Sequence, residues 1–401
     1  MELNHMQGVA SERFQYWYKH PESRKRGWFE VSGPAGSGKT TVVKHIIANL
    51  GLKNEDVVFI AYVGKAALAL RLSGVNGKTI HSVLYDIIER PKRDANGNIM
   101  YKSDKVPFME TRFIRKTSLP ENIKLIVVDE GGMVPTDMGR DIISFGIPTL
   151  VLGDLNQLPP VFGDSLFLHN PDVILNEIMR QKKDSPIIYL SQLAMYGMPI
   201  NYCSYGNGDV KVIRKNQLTD DMLHETDLVI CATNNTRDTI NWYMRKNIYG
   251  IDEPYIVAGD KLICRKNCWD TILDDPSIST KISLVNGMIG SVVRTNKNES
   301  KKDLNMHIDF KPEFSNRYFK NIPINSNYIL SPVVERSKVN PKYAPFIAFE
   351  LGYCSTCHLA QGSQYEDVIV YIDTTVSDSS YFCKWLYTAI TRAKSKLTIV
   401  M

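Results

Sequence analysis

Residues 33–40 read Gly33-Pro34-Ala35-Gly36-Ser37-Gly38-Lys39-Thr40 and fill every fixed position of the pattern G-x-x-x-x-G-K-[ST]. Few short stretches constrain a fold so strongly, because this loop works only where a strand delivers it and a helix leaves it. Trp28-Phe29-Glu30-Val31-Ser32 reads as the strand, and Thr41 to Leu50 carries the apolar spacing of the helix. The glycines let successive backbone N–H groups turn inward around a polyphosphate at a helix N-terminus. Lys39 then reaches the β and γ phosphates, and the Thr40 hydroxyl is placed to ligate Mg²⁺. Gly33, Pro34, Ala35, Gly36, Ser37, Gly38, Lys39, Thr40 and Thr41 are therefore the candidate nucleotide-binding residues.

A second apolar run, Ile123-Lys124-Leu125-Ile126-Val127-Val128, ends in Asp129-Glu130. That is the form of a buried parallel strand whose tip faces a ligand crevice. Asp129 is suited to hold Mg²⁺, and Glu130 to orient and deprotonate an attacking water. A third strand, Pro148 to Leu152, runs into Gly153-Asp154-Leu155-Asn156-Gln157-Leu158-Pro159-Pro160. Gln157 offers a donor and an acceptor on a proline-bounded turn, suited to reporting whether a phosphate is present. Arg180, in Glu177-Ile178-Met179-Arg180-Gln181, and Arg392, in Leu386-Tyr387-Thr388-Ala389-Ile390-Thr391-Arg392-Ala393-Lys394, are permanent cations suited to stabilise γ-phosphate charge.

These segments resemble, in chain order, motifs A, B, III, IV and VI of superfamily 1 helicases. Gly352 to Tyr365, containing Thr356-Cys357-His358-Leu359-Ala360-Gln361-Gly362-Ser363-Gln364, resembles motif V, with Leu359 in place of the usual lysine and Gln364 in place of the usual acid. Phe59 to Ala67, with Gly64 and Lys65, resembles motif Ia, and Lys78-Thr79-Ile80-His81 resembles the Thr-Ile-His segment of RecD-type enzymes. The resemblance implies that Gly64, Lys65, Thr79, His81, Thr356 and His358 contact a single DNA strand, while Gly362 approaches the nucleotide. Leu3-Asn4-x-x-Gln7 stands where the adenine-recognising Q motif lies, which makes Gln7 a candidate partner of adenine N6 and N7. The likeness is greatest to the 5′-to-3′ branch, specifically phage Dda-type and RecD-type DNA helicases.

Composition neither adds to this reading nor opposes it. With 48 basic and 43 acidic residues in 401, the net charge of +5 does not by itself mark a nucleic-acid binder. No apolar run reaches the roughly 18 residues of a membrane span, and the start lacks a signal-peptide pattern, so an intracellular location is expected. The seven cysteines are odd in number and lack zinc-knuckle spacing, which favours reduced thiols.

The expected fold class is α/β, with two RecA-like P-loop NTPase lobes. The first spans 1–175 and carries a hairpin insert at about 90–118, whose place in relatives holds a strand-separating pin; Phe108 and Phe113 are candidate wedge residues. The second spans 176–270 and 350–401, interrupted by an SH3-like β insert at 271–349. The resemblance implies ATP and Mg²⁺ as cofactors and single-stranded DNA and duplex junctions as partners. It further implies a monomer that works beside a single-strand-binding protein or replisome component in replication, recombination or repair, in a host cytoplasm if of phage origin. The expected function is ATP-dependent 5′-to-3′ unwinding. A superfamily 1 translocase or RNA helicase stays open as the alternative, followed by a non-motor binding protein switched by ATP. A P-loop kinase leaves residues 350–395 unexplained.

Overall fold

The computed structural model describes residues 3–91, 93–94, 97–101, 107, 109–160, 163–176, 185–273, 282–297, 305–339, 344–373 and 379–401. Arg180 and Phe108 lie outside them. In the first lobe a six-stranded parallel sheet runs in the order Gly77–Thr79, Val57–Ala61, Leu125–Asp129, Thr149–Gly153, Trp28–Ser32, Val173–Ile174. These strands are near-continuous apolar runs because both faces are covered. Val58, Ile60, Ile126, Val128 and Val151 pack with Ile80, Leu84 and Ile142 on one face. Their alternates Val57, Phe59, Val127, Leu150 and Leu152 pack with Phe14, Val42 and Ile46 on the other. Parallel register places the C-terminal tips Ser32, Asp129 and Gly153 along one edge of the sheet.

The second lobe repeats the plan. Its six strands run Cys354–Thr356, Leu228–Cys231, Tyr365–Tyr371, Ala393–Val400, Val210–Ile213, Ser204–Tyr205, parallel except for the last pair. Helices Pro186–Met195 and Ser379–Ile390 cover one face through Ile187, Leu190, Trp385, Leu386 and Ala389. The expected two-lobed α/β class is present.

A five-stranded antiparallel sheet interrupts the second lobe, in the order Phe319–Asn325, Asn305–Pro312, Ile289–Lys297, Lys261–Cys264, Phe349–Leu351. It takes in strands on either side of 271–349, and Leu262, Val292, Phe310 and Phe349 share one core with Val229, Cys231, Ile369 and Val400 of the lobe's sheet. In the first lobe, Tyr85–Pro91 pairs with Met109–Arg115 as an antiparallel hairpin, continued by bridges Arg93 to Ile99 and Tyr101 to Pro107. Phe113 on this hairpin is exposed.

Ion pairs tie the insert to its lobe. Arg245 and Asp260 are both fully buried and meet in a fork, Nε to Oδ1 at 2.7 Å and Nη2 to Oδ2 at 3.1 Å, with further donation to the carbonyls of Glu253 and Tyr255. Arg237, Arg265 and Arg336 converge on Asp238 and Glu350 nearby. All seven cysteines are free thiols, including Cys231 and Cys354, whose sulfurs lie 3.6 Å apart. Removing one partner of a buried pair strands the other's charge. Asp260→Ala is therefore expected to cost about 3–5 kcal/mol, read as a lower urea midpoint of the second lobe followed by circular dichroism.

Candidate active site

From Ser32 the chain turns through the phosphate loop into helix Lys39–Asn49. Gly36 (φ 84°) and Gly38 (φ 82°) take the left-handed conformation that only glycine adopts readily. A Cβ at Gly38 would also lie 2.4 Å from Nε2 of Gln7, so a side chain there would displace that amide. Gln7 braces the loop from behind. Its Nε2 donates to the carbonyl of Ser37 at 3.0 Å, and its Oε1 accepts from the backbone N–H of Asn4 in a capping box that starts helix His5–Lys19. Each end of the amide makes one bond within the protein, leaving one N–H of Nε2 and one lone pair of Oε1 for a further partner.

Lys39 Nζ donates to the carbonyls of Gly33 at 2.6 Å and Pro34 at 3.0 Å, so the ammonium rests in the mouth of the loop. Asp129 is the half-buried end of its strand. Burial, then the charge of Glu130, push the Asp129 carboxyl up to about 6, against the pull of Lys39. Glu130 has φ 50°, a left-handed backbone for a residue with a side chain, which stores on the order of 1–3 kcal/mol of strain. The sharp turn is enforced by Gly131, where a Cβ would meet Val151 Cγ1 at 2.3 Å.

One cleft of about 440 Å³ gathers Ala35, Gly36, Gly38, Lys39, Thr40, Thr41, Asp129 and Glu130 from the first lobe with Gly362, Gln364 and Arg392 from the second. Arg392 is buried and donates to the carbonyls of Thr388 (2.9 Å) and Ser363 (3.1 Å) and to Thr391 Oγ1 (3.0 Å). Thr40 and Asp129 supply a hydroxyl and a carboxylate to the same space, the small protein donor set that suits Mg²⁺ bound with phosphates. Gln157 does not line this cleft. It is buried in the turn after Gly153, and its Oε1 has no hydrogen-bond partner among the described residues.

Residues inside the motifs but without an assigned role join the lobes. Tyr387 donates to Asp154 Oδ2 at 2.6 Å, Thr388 Oγ1 accepts from the N–H of Leu158 at 3.0 Å, and Gln361 Nε2 donates to the carbonyl of Leu158 at 3.1 Å. Sequence spacing flagged the segments; only the tertiary fold pairs them.

The residues expected to touch DNA do not form one open surface. Lys65 Nζ donates to Tyr365 OH at 2.8 Å, and burial pulls the amine down to about 8. Gly64 lies under the insert, where a Cβ would meet Asn267 Oδ1 at 2.7 Å and Val285 Cβ at 2.9 Å. These two residues therefore sit at a junction of the lobes and the insert. Thr79 is buried and caps helix Ile80–Leu84 by accepting from Ser82 N–H. Thr356 is buried, and His358 Nε2 lies 3.5 Å from Tyr381 OH. His81 is the more open member, half-buried among the rings of Phe113 (5.0 Å), Tyr85 (5.7 Å) and Tyr62 (6.2 Å) at the root of the hairpin.

Residues 18–202 match the family model of an AAA domain, and residues 351–400 that of the UvrD-like helicase C-terminal domain. The ATP-dependent DNA helicase Dda of enterobacteria phage T4 is 25% identical over 296 residues, covering 67% of this chain and 63% of that protein. By these matches the chain is similar to the helicases of superfamily 1. An uncharacterized protein of Methanocaldococcus jannaschii is 24% identical over 447 residues, covering 92% of this chain and 36% of its own length, so the chain spans less than two thirds of either relative. Its fold is shared with solved Pif1 helicases. A structure of Pif1 at forked duplex DNA superposes with TM-score 0.55 at 18% identity, covering 100% of this chain and 92% of that one. Pif1 from Candida albicans gives 0.53 at 15% identity, covering 100% and 95%, and Bacteroides Pif1 bound to single-stranded DNA gives 0.53 at 17%, covering 100% and 92%.

The raised carboxyl of Asp129 sets a pH dependence. Its folded state holds a proton more firmly than the unfolded chain, so its contribution to stability is full below about pH 4 and lost as pH rises through about 6. Asp129→Asn is expected to raise the melting temperature at pH 7.5 without divalent cations, an advantage that shrinks by pH 5. Thermal unfolding in a chelator at the two pH values checks this.

Proposed function

We propose that this chain is an ATP-driven DNA helicase that moves 5′ to 3′ along a single strand and separates duplex ahead of it. The observation that carries the reading is the cleft in which Lys39, Thr40, Asp129 and Glu130 of one lobe face Arg392 of the other. Mg²⁺, when bound at Thr40 and Asp129, would neutralise phosphate charge. Lys39 and Arg392 would each exchange backbone carbonyls for phosphate oxygens, drawing the lobes together. Glu130 would orient and deprotonate the attacking water, and Gln157, buried outside the cleft lining with an unpaired oxygen, is assigned its phosphate-sensing role on motif resemblance. Arg180 is assigned the motif IV arginine role on motif resemblance alone.

On the strand side, His81 with Tyr62 and Phe113 offers ring faces on which unpaired bases could stack without sequence preference. The hairpin bearing Phe113 is the proposed strand separator. Dda and Pif1 are named as DNA helicases, which supports DNA as the track; direction of travel follows the 5′-to-3′ branch of the superfamily. We further assign a monomeric motor that meets single-strand-binding or replisome proteins on DNA.

Lys39→Ala is expected to lower kcat for ATP hydrolysis by about 10²-fold or more with circular dichroism unchanged. Glu130→Gln should retain nucleotide but fail to release phosphate, seen as nucleotide trapped on the protein. In an unwinding assay, a duplex with a 5′ tail should be opened and one with a 3′ tail should not. Opening of the 3′-tailed duplex alone would overturn the direction, and stimulated hydrolysis without opening would leave a translocase.

A further inference from the structure

We propose that the first lobe carries a second site for single-stranded nucleic acid, a groove remote from the nucleotide cleft in which unpaired bases stack on Tyr16 and phosphates meet Arg13 and Lys25. The groove, of about 790 Å³, lies between helix His5–Lys19 and the start of strand Trp28–Ser32. The other end of that strand, Ser32, leads into the phosphate loop, so groove and cleft lie at opposite ends of it. Thr79 and Asp129 also stand at C-terminal strand tips of this parallel sheet, which sets the groove apart from the proposed track as well.

Among the described residues, every apolar side chain that lines the groove is aromatic: Tyr16, Trp17, Trp28 and Phe29. Aliphatic pockets suit peptide side chains, whereas flat ring faces suit bases, each of which has a π-face of its own. Trp17 and Phe29 are buried and form the floor, their rings 5.9 Å apart, while Tyr16 is 61% exposed. Tyr16 is also held in place. Its ring stacks on His20 at 4.2 Å and 21°, and His20 Nδ1 lies 2.9 Å from the Tyr16 carbonyl, so little freedom is left to lose when a base lands on it.

The cations around these rings divide into two kinds. Arg24 lies 4.6 Å over Trp17 and donates to the carbonyls of Trp17 and Tyr18; Arg26 lies 5.2 Å over Trp28 and donates to Asp172 at 2.6 Å. Both are engaged within the protein and shape the walls, and Arg26 cancels the charge of Asp172. Arg13 and Lys25 are exposed and make no hydrogen bond or ion pair among the described residues. Glu12 is the acid that remains beside them. Residues 12–26 together hold five arginines and lysines against Glu12 and Glu22, so the field over the groove is positive. A positive groove set with ring faces holds a single strand without reading its sequence.

The test titrates the whole chain with a fluorescent oligothymidylate of about eight nucleotides, within the span of a single site, and photocrosslinks the same strand carrying 5-iodouracil. Two strands bound per chain are expected, with a cross-link on Tyr16 or Trp28. Tyr16→Ala should weaken binding in the groove about fivefold or more. Arg13→Ala combined with Lys25→Ala should lower its salt slope by about 1.4, from two phosphates at about 0.7 each. Strand-stimulated ATP hydrolysis should be unchanged in both variants, because none of these residues touches the cleft. One strand per chain with no cross-link in residues 12–28 overturns the groove and leaves the motor reading intact. A cross-link that survives both variants at full yield overturns it too. Binding of a fluorescent glutamate-rich peptide in place of the strand, lost in the same variants, overturns it in favour of an acidic protein partner. A strand held in the groove without any stimulation of hydrolysis overturns the motor reading and leaves the groove standing.

Discussion

Lys39 and Arg392 enter one cleft from two different lobes, and each rests its permanent charge on backbone carbonyls of its own lobe. Carbonyl dipoles are adequate partners for a cation but weaker ones than a phosphate oxyanion. An anion bridging the cleft would therefore gain contacts on both sides at once. The placement of the loop at a sheet edge, the second lobe and the helix that carries Arg392 all serve to keep these two cations within reach of a shared anion.

The second lobe and its insert behave as one packing unit. Val229, Cys231, Ile369 and Val400 on the back of the lobe's sheet share a core with the inner face of the insert, and the Arg245–Asp260 fork locks the junction. A movement of the lobes would thus carry the insert with it, together with the turn at Val285 to Gly287 that lies over Gly64 and Lys65. Lys65 donates to Tyr365 across this junction, with its amine pulled down by burial.

Much of the site could be read along the chain because its parts are local. The glycine pattern at 33–40 specifies a loop whose backbone must take left-handed angles, and Asp129 and Glu130 end a run that is apolar over its whole length, so strand tip and function coincide. Gln7 was legible as a glutamine near the nucleotide but not as a brace, since its occupation depends on a capping box and on Ser37, 30 positions away. Gly64, Lys65, Thr79 and Thr356 were legible as motif residues, while their burial depends on neighbours contributed by the insert or by distant strands.

The sequence by itself determined the two α/β lobes, the phosphate loop and the acids at the strand end, because each depends on residues a few positions apart whose periodicity and backbone needs are written consecutively. The tertiary structure alone decided how the lobes speak to each other. Tyr387 meets Asp154 and Gln361 meets Leu158 across separations of more than 200 residues, and no local pattern fixes which buried donor finds which acceptor. That choice is made by the packing of whole lobes, where an unpaired buried polar group is too costly to leave and the partner is whichever group the fold brings within 3 Å or so.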